Sequence, residues 1–536
     1  MEHGPVRLGG AAVPRRGRRV RAGAQTGVAG ARGRRRGRVF RRGEGRRGRR
    51  GRAGAQPAPG GRGRCVRVGR HRVVGRATAR AAARSPRQRR DRQRDAGRRR
   101  GGLCHLGGGR ALRGDGRQGH GRGARQRPYP RHADGPGRTT QAPGATPVTL
   151  TLYLLDPDPS PGWIPFAGVR PLAELRAGAH LVRERWETFV GTETAEIFAL
   201  PHLAGFAEAG VPPVIARHAV RGPAVIGSST FAPRGLAPAL PAEPFRLVCR
   251  GITVGWGVPA GGSWEGPRPE ARPVEVEGLV LHGVHDCVRA LEALLRDDLL
   301  PLVGDSDPIP RGSTVVGDAA AVVLREAAVE PGAVFDTSAG PIVLESGVEV
   351  RAGTRLEGPL WAGANTQLLG GPIRTSAIGP HCKVRGEVSH CVFLGYANKA
   401  HDGFVGHSVI GRWVNLGAGT ITSDLKNTYG PVRLDAAGTT IETGLLHLGT
   451  LLGDHAKTAI GTLLGTGTIV GAGANFFDAV RAPKYVAPFA WGGTGRERMT
   501  RDGFLRIAER VLPRRDVPVD EATRASLGRV YDWCTR

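Results

Sequence analysis

One histidine in this sequence stands where a general base would be expected. His401 lies in Asn398-Lys399-Ala400-His401-Asp402-Gly403, and Asn415, Asp424, Lys426, Asn427 and Tyr429 follow soon after. A general base working near neutral pH is most readily made from His. Alone, His401 would read as a surface or corner residue. The polar cluster around it shifts that reading towards a site. The stretch 423–431, SDLKNTYGP, breaks the surrounding pattern and reads as a loop protruding from a rigid scaffold, where sites are commonly built.

The scaffold is written in a six-residue period. Phe404, Ile410 and Leu416 are six apart, and so are Val409, Asn415 and Ile421. Upstream, Ile342, Val348, Thr354 and Leu360 keep the same beat, and downstream Leu446, Leu452, Thr458, Leu464 and Val470 do. Gly follows many of the aliphatics directly, as in Ile410-Gly411 and Leu452-Gly453. Period six is neither the 3.6 of a helix nor the alternation of a strand. It predicts a left-handed parallel β-helix of hexapeptide repeats over 311–495, in which three short strands close one triangular coil. On that scaffold, residues six apart are expected to lie one rung apart, which makes His401 and His407 neighbours. Cys382 and Cys391, nine apart, are expected to lie near each other.

The elements before and after this stretch differ in kind. Residues 1–147 hold 42 Arg, no Lys and 6 acidic residues, a charge of +36, while the remainder carries −3. Without Ile, Asn or Trp, this segment cannot build a core and should be disordered. A basic tail that binds nucleic acid usually interleaves aromatics, and only Phe40 and Tyr129 are present. Selection for positive charge gives no reason to exclude Lys, so the segment reads as a mis-assigned start, with the folded protein beginning near Val148. Nucleic acid is not an expected partner.

Residues 148–310 read as an α/β domain. A strand is expected over 148–155, a helix over 171–190, further strands at 214–216, 224–226, 245–249 and 274–280, and a helix over 286–300. Arg170, Arg176, Arg183 and Arg185 either hold a phosphate or form the solvated face of that first helix. The loop after the first strand carries Pro and Asp, with only Gly162 and Gly168, unlike a phosphate-cradling loop. Residues 496–536 read as two helices, over 502–512 and from an Asp520 cap to Trp533, closing the open end of the solenoid. Seven cysteines without a CxxC read as thiols in a reducing cytoplasm. No apolar run reaches 18 residues, so no membrane span is expected.

Several motifs carry a resemblance. NKAHDGF, WVNLGAGT, SDLKN-x-YG, GDHAKTAIGT and PKYVAPFAWGG, with the Pro-Leu-Ala-Glu-Leu-Arg run of 171–187, resemble a divergent branch of the bifunctional glucosamine-1-phosphate acetyltransferase / N-acetylglucosamine-1-phosphate uridyltransferase family. That resemblance implies acetyl transfer from acetyl-CoA to a sugar amine, in a homotrimer with the coenzyme cleft between solenoids. It makes His401 the catalytic base. It also makes Lys399, Asn415, Asp424, Lys426 and Asn427 substrate contacts, and Lys457 and Thr458 coenzyme contacts. Phe404 stands where the family has Tyr, and Asp424-Leu425 stands for Asn-Tyr. The front domain resembles the uridyltransferase half weakly. Arg170 and Arg176 match its pyrophosphate contacts, and uridyl transfer would need Mg²⁺. No metal ligand is identified from the sequence.

Two alternatives stay open. The nucleotidyltransferase-like domain is purely structural, or the chain is a metal-dependent hexapeptide enzyme of the carbonic-anhydrase type, using three of His381, His390, His401, His407, His447 and His455. Removal of residues 1–147 is expected to leave the melting temperature of the remainder unchanged in a thermal scan. A large loss would contradict the mis-assigned start.

Overall fold

The computed structural model describes residues 150–493 and 497–536. The Arg-rich segment, with the expectation of disorder attached to it, lies outside the described residues. The chain divides into two units, 1–129 and 130–536, and the description concerns the second.

The hexapeptide period folds into a left-handed parallel β-helix of three-sided coils. Side A stacks six strands from Thr314–Val316 to Val405–Gly406, side B nine from Val322–Leu324 to Tyr485–Val486, and side C five from Ala328–Val329 to Asn398–Lys399 before resuming at Lys457–Thr458. Pairing between successive coils is parallel, and only the last pair of side C, Ala490–Trp491 with Glu497–Arg498, is antiparallel among the described strands of the coil. Val388 lies beside Val405, Val392 beside Val409, and Lys383 beside Asn398. A whole turn therefore reaches the next rung, whereas six residues carry the chain only to the next side. His401 and His407 accordingly sit on different edges of the prism and are not neighbours. The six-residue period was legible, but its geometric meaning differs from the one expected.

Side B is apolar in both directions. Its inward residues, among them Ile342, Leu360, Ile378, Phe393, Ile410 and Leu452, fill the coil interior. Its outward residues Val343, Trp361, Ala377, Val392, Val409 and Leu451 are equally buried, in a core shared with the front domain. Sides A and C turn polar groups outward. Arg355 pairs with Asp336 and Glu357 on side A, and side C shows Gln367, Lys383, Asn398 and Asn415.

The front domain covers side B. Its sheet has seven strands, β1 (Thr151–Leu155), β2 (Thr194–Phe198), β3 (Val214–Ile215), β4 (Ala224–Ser228), β5 (Phe245–Cys249), β6 (Ile252–Val258) and β7 (Arg272–Glu275), in the order β7-β5-β6-β4-β1-β2-β3. Strand β1 runs parallel to both of its neighbours, β2 and β4. Helix α1 (Val182–Val190) lays Trp186 on the sheet, and the indole N–H donates to the Ser228 carbonyl at 3.0 Å. Gly227 leaves room for that ring, since a Cβ there would approach it to 2.6 Å.

The helix expected over 171–190 is half that length. A 3₁₀ turn at Leu172–Glu174 is followed by a tight antiparallel pair, Arg176–Ala177 with His180–Leu181, and α1 begins only afterwards. Gly178, at φ 70°, makes the turn that interrupts the helix. The strand expected at 274–280 splits between β7 and Gly278–Val280, which pairs with Phe231–Pro233. The helix expected over 286–300 is α2 (His285–Arg289) followed by α3 (Leu291–Leu299), whose Leu291, Leu294, Leu295 and Leu299 are buried.

Of the four arginines read as phosphate ligands, Arg170 and Arg176 tie the two halves together instead, and Arg183 and Arg185 brace the front domain. Arg170 has no exposed side-chain surface and pairs with Asp454 of the solenoid at 3.0 Å and with Glu208 at 2.6 Å. Arg412 of the solenoid reaches the same Glu208 at 2.8 Å. Arg176 is buried, lies over the Trp361 ring at 4.4 Å and donates to the Ala179 carbonyl. Arg183 pairs with Glu174 at 2.6 Å and Arg185 with Asp298 at 2.5 Å. Burial makes these guanidiniums structural, because an enclosed cation must be held by local acceptors.

The C-terminal helices α4 (Arg501–Val511) and α5 (Glu521–Cys534) carry the expected caps. Thr500 Oγ1 accepts from Gly503 N at 3.1 Å, and Asp520 accepts from Thr523 N at 2.8 Å. Their position is lateral, not across the open end. They cover the edge between sides B and C, where His381, Tyr396, Trp413 and His455 all take φ between 55° and 62°. Neighbouring rings there stack at 4.7 Å (His381–Tyr396) and 4.3 Å (Tyr396–Trp413), with Ala508 and Leu512 packed on them. Non-Gly residues in the left-handed region cost about 1–2 kcal/mol each, and this buried stack offsets that cost. From the same pair of helices, Trp533 stacks on His202 of the front domain at 4.2 Å.

The loop expected at 423–431 begins a longer arm. The chain leaves the coil at Asp424, forms the hairpin Arg433–Ala436 with Thr439–Glu442, and returns at His447 to Gly449. Val432 and Leu434 are buried, and Arg289 of α2 donates to the Thr443 carbonyl, so the arm is anchored on the front domain. Cys382 and Cys391 are buried free thiols, each pushed up to about 12 by burial.

Substituting Arg170→Met removes one partner of a buried charge cluster, leaving Asp454 without its ion pair and Glu208 with Arg412 alone. A loss of about 3–5 kcal/mol is expected in urea unfolding; a loss below about 1 kcal/mol would show that the cluster does not join the halves.

Candidate functional site

His401 sits on the edge between sides C and A. Glycines make this edge: Gly353, Gly386, Gly403, Gly419 and Gly461 all have positive φ. The edge is held from within. Lys399 is buried, and its ammonium donates to the carbonyls of Arg385 (2.7 Å) and His401. Desolvation lowers the Lys399 pKa to about 8. Gly419 N donates to the Asp402 carbonyl at 3.1 Å, and the Asp402 carboxylate meets Arg385 at 3.2 Å. The His401 backbone is thus tied from both sides while the residue itself is exposed. An imidazole so placed is free to exchange a proton with a bound molecule.

Beside this edge, open side C carries a polar ladder. Asn398 Nδ2 donates to Asn415 Oδ1 at 2.7 Å, and Asn415 bridges by backbone to Lys457 on the following rung. Lys457 is half-buried, donates to the His455 carbonyl at 3.2 Å and is pulled down to about 8 by burial. Thr458, read as a coenzyme contact, turns the other way. It is buried, and its hydroxyl accepts from Gly417 N at 3.1 Å and meets Thr420 Oγ1 at 2.9 Å. Strand alternation puts Lys457 outward and Thr458 inward, so Thr458 is not open to a ligand.

Asp424, Lys426 and Asn427 do not gather at His401. Lys426 braces its own loop by donating to the Pro431 carbonyl at 2.7 Å, and Asn427 is exposed. Asp424 lies on the edge between sides A and B, where His407 Nδ1 meets its Oδ2 at 2.7 Å. His407 stacks between His390 (4.6 Å) and His447 (5.0 Å). Burial raises the Asp424 pKa, but the hydrogen bond to His407 and the fields of His407 and His447 outweigh it, so the carboxyl titrates below its usual range. His407, Asp424 and His447 offer donor atoms all within 4.8 Å of one another, a set able to hold a metal ion. Counting by whole turns would have revealed this edge, because His390 and His407 stand apart by the same step as the paired Val388 and Val405.

The front domain offers a hollow at the carboxyl ends of β1 and β2, where open α/β sheets commonly bind ligands. Asp156, Pro157, Trp163, Leu172, Leu200 and Leu203 line it, together with the already paired Arg170. Burial raises the Asp156 carboxyl to about 6, partly opposed by hydrogen bonds that include the Leu172 N–H, at 3.0 Å.

No family model matches the chain. Over 144 residues, 26% of the chain, it is 29% identical to a bifunctional sugar-1-phosphate nucleotidylyltransferase/acetyltransferase of Sulfurisphaera tokodaii, of which this stretch covers 35%. Over 92 residues, 16% of the chain, it is 32% identical to the bifunctional protein GlmU of Methanococcus vannielii, covering 22% of that relative. Over part of its length the chain is thus similar to these two bifunctional proteins. Its matched stretches span about a third and about a fifth of those two relatives. Within the chain the edge at His401 and the ladder of side C lie on the β-helix, and Arg170 and Arg176 of the front domain are enclosed. Among the described residues, no helix is long and apolar enough to cross a membrane.

The folded chain holds the Asp156 proton to higher pH than an unfolded chain does, so Asp156 lowers stability as pH rises from about 4 to about 6. Asp156→Asn should match the wild type in urea unfolding near pH 4 and exceed it at pH 7. An equal difference at both values would remove Asp156 as the titrating group.

Proposed function

We propose that this chain is a sugar-phosphate N-acetyltransferase that uses acetyl-CoA, with a glucosamine-1-phosphate-like acceptor. The observation that carries the reading is the exposed His401 on a backbone tied down by Lys399 and Gly419, beside the Asn398–Asn415–Lys457 ladder. The acceptor amine attacks the thioester carbonyl, a C–N bond forms and the C–S bond breaks. His401 takes the proton that the amine loses, and CoA leaves as the thiol. Asn398 and Asn415 hold acceptor hydroxyls, and Lys457 draws the anionic coenzyme to side C. Sides A and C, which turn polar groups outward, meet at His401, and this exposed edge supports a homotrimer with shared clefts.

A second reading concerns the front domain. Arg170 and Arg176 are enclosed as links to the solenoid, which supports a structural nucleotidyltransferase-like domain over an active uridyltransferase requiring Mg²⁺. The name of the Sulfurisphaera tokodaii relative favours the opposite, a coupled transfer of nucleotide to the sugar phosphate.

Purified chain should release CoA thiol from acetyl-CoA with an amino-sugar phosphate drawn from a panel. His401→Ala should lower kcat about 10²–10⁴-fold with an unchanged melting temperature; wild-type turnover by that variant would end the base assignment. The same panel with UTP and Mg²⁺ separates the two front-domain readings by pyrophosphate release.

A further inference from the structure

We infer that His407, Asp424 and His447 bind one divalent transition-metal ion that staples the root of the inserted arm to the coil. The inference stands apart from the acyl-transfer reading and uses none of its residues' roles. His407 belongs to the coil, whereas Asp424 and His447 are the points where the arm leaves and re-enters it. The backbone already closes that root, with Leu448 N donating to the Asp424 carbonyl at 2.9 Å and Leu425 bridging His447.

The side chains converge beyond what backbone closure requires. Their donor atoms lie within 4.8 Å of one another. Ligands on one tetrahedral ion at about 2.0–2.1 Å stand about 3.3 Å apart, so small shifts of the rings and the carboxylate suffice. His407 Nδ1 and Asp424 Oδ2, now sharing a proton at 2.7 Å, would exchange it for the ion. His447 Nδ1 is buried without a hydrogen-bond partner, an unsatisfied polar atom in a group already facing His407. Two imidazoles and one carboxylate suit Zn²⁺ or Co²⁺ and leave a coordination position for water. His390 stacks on the far side of His407 and fixes its ring, with its own Nδ1 engaged by Ser389 Oγ at 2.9 Å.

The test uses the full, untagged chain, stripped with chelator and titrated with Co²⁺ and Zn²⁺. One ion per chain is expected by elemental analysis, with Co²⁺ giving the visible absorption of a tetrahedral or five-coordinate site. Asp424→Asn and His447→Gln should each weaken binding at least about 100-fold, while His381→Gln, on another edge of the prism, should bind as the wild type does. Amide exchange across Arg433–Glu442 should slow on loading. Failure of the wild-type chain to bind an ion, or wild-type affinity in both arm variants, would overturn the site; unchanged exchange in the loaded chain would overturn the staple.

Discussion

Side B of the coil is a sheet that must be buried on both faces, and the rest of the molecule is arranged to satisfy it. Inward residues such as Ile410 and Leu452 close the prism, while outward residues such as Val343, Val392 and Leu451 need an external partner. Apolar burial at roughly 25 cal/mol per Å² makes a bare side B costly. The front domain, α3 and the arm supply the cover. Sides A and C, outward-polar, need none, and the reactive-looking edge at His401 lies where they meet.

Joining two large pieces over one face brings polar groups under cover with it. Arg170, Asp454, Glu208 and Arg412 are the result: charges largely removed from water that neutralise each other across the joint. Arg176 does the same through the face of Trp361, itself an outward residue of side B. Two arginines of a run that looks ready for phosphate, Arg170 and Arg176, are thereby used up in holding the halves together.

The three edges of the prism have separate chemistries, although every one of them asks the backbone for left-handed turns. Glycines make the edge at His401, which stays open. Aromatic and imidazole rings make the edge under α4 and α5, where packing offsets the backbone cost. Imidazoles and one carboxylate gather at the third, where the arm is rooted. Residues close in sequence are thus dealt to different edges, and residues a whole turn or an arm apart are brought together.

The hexapeptide period, the caps at Thr500 and Asp520 and the strands β1 and β5 were legible, because each rests on contacts or conformations of nearby residues. The length of the 171–190 helix was not, because Gly178 turns the chain where the apolar spacing still suggests a helix. The twofold burial of side B was present in runs such as Val322-Val323-Leu324 and Ile342-Val343-Leu344, but what covers it cannot be read from a run of aliphatics. By itself, then, the sequence determined the coil and the presence of His401 on it. The tertiary structure alone decided that Arg170 faces carboxylates, that Thr458 points inward, and that His407 meets Asp424 and His447. The reason is that side-chain neighbours on a solenoid are set by the number of residues in each turn and by the insertion between turns, and neither is encoded in local spacing.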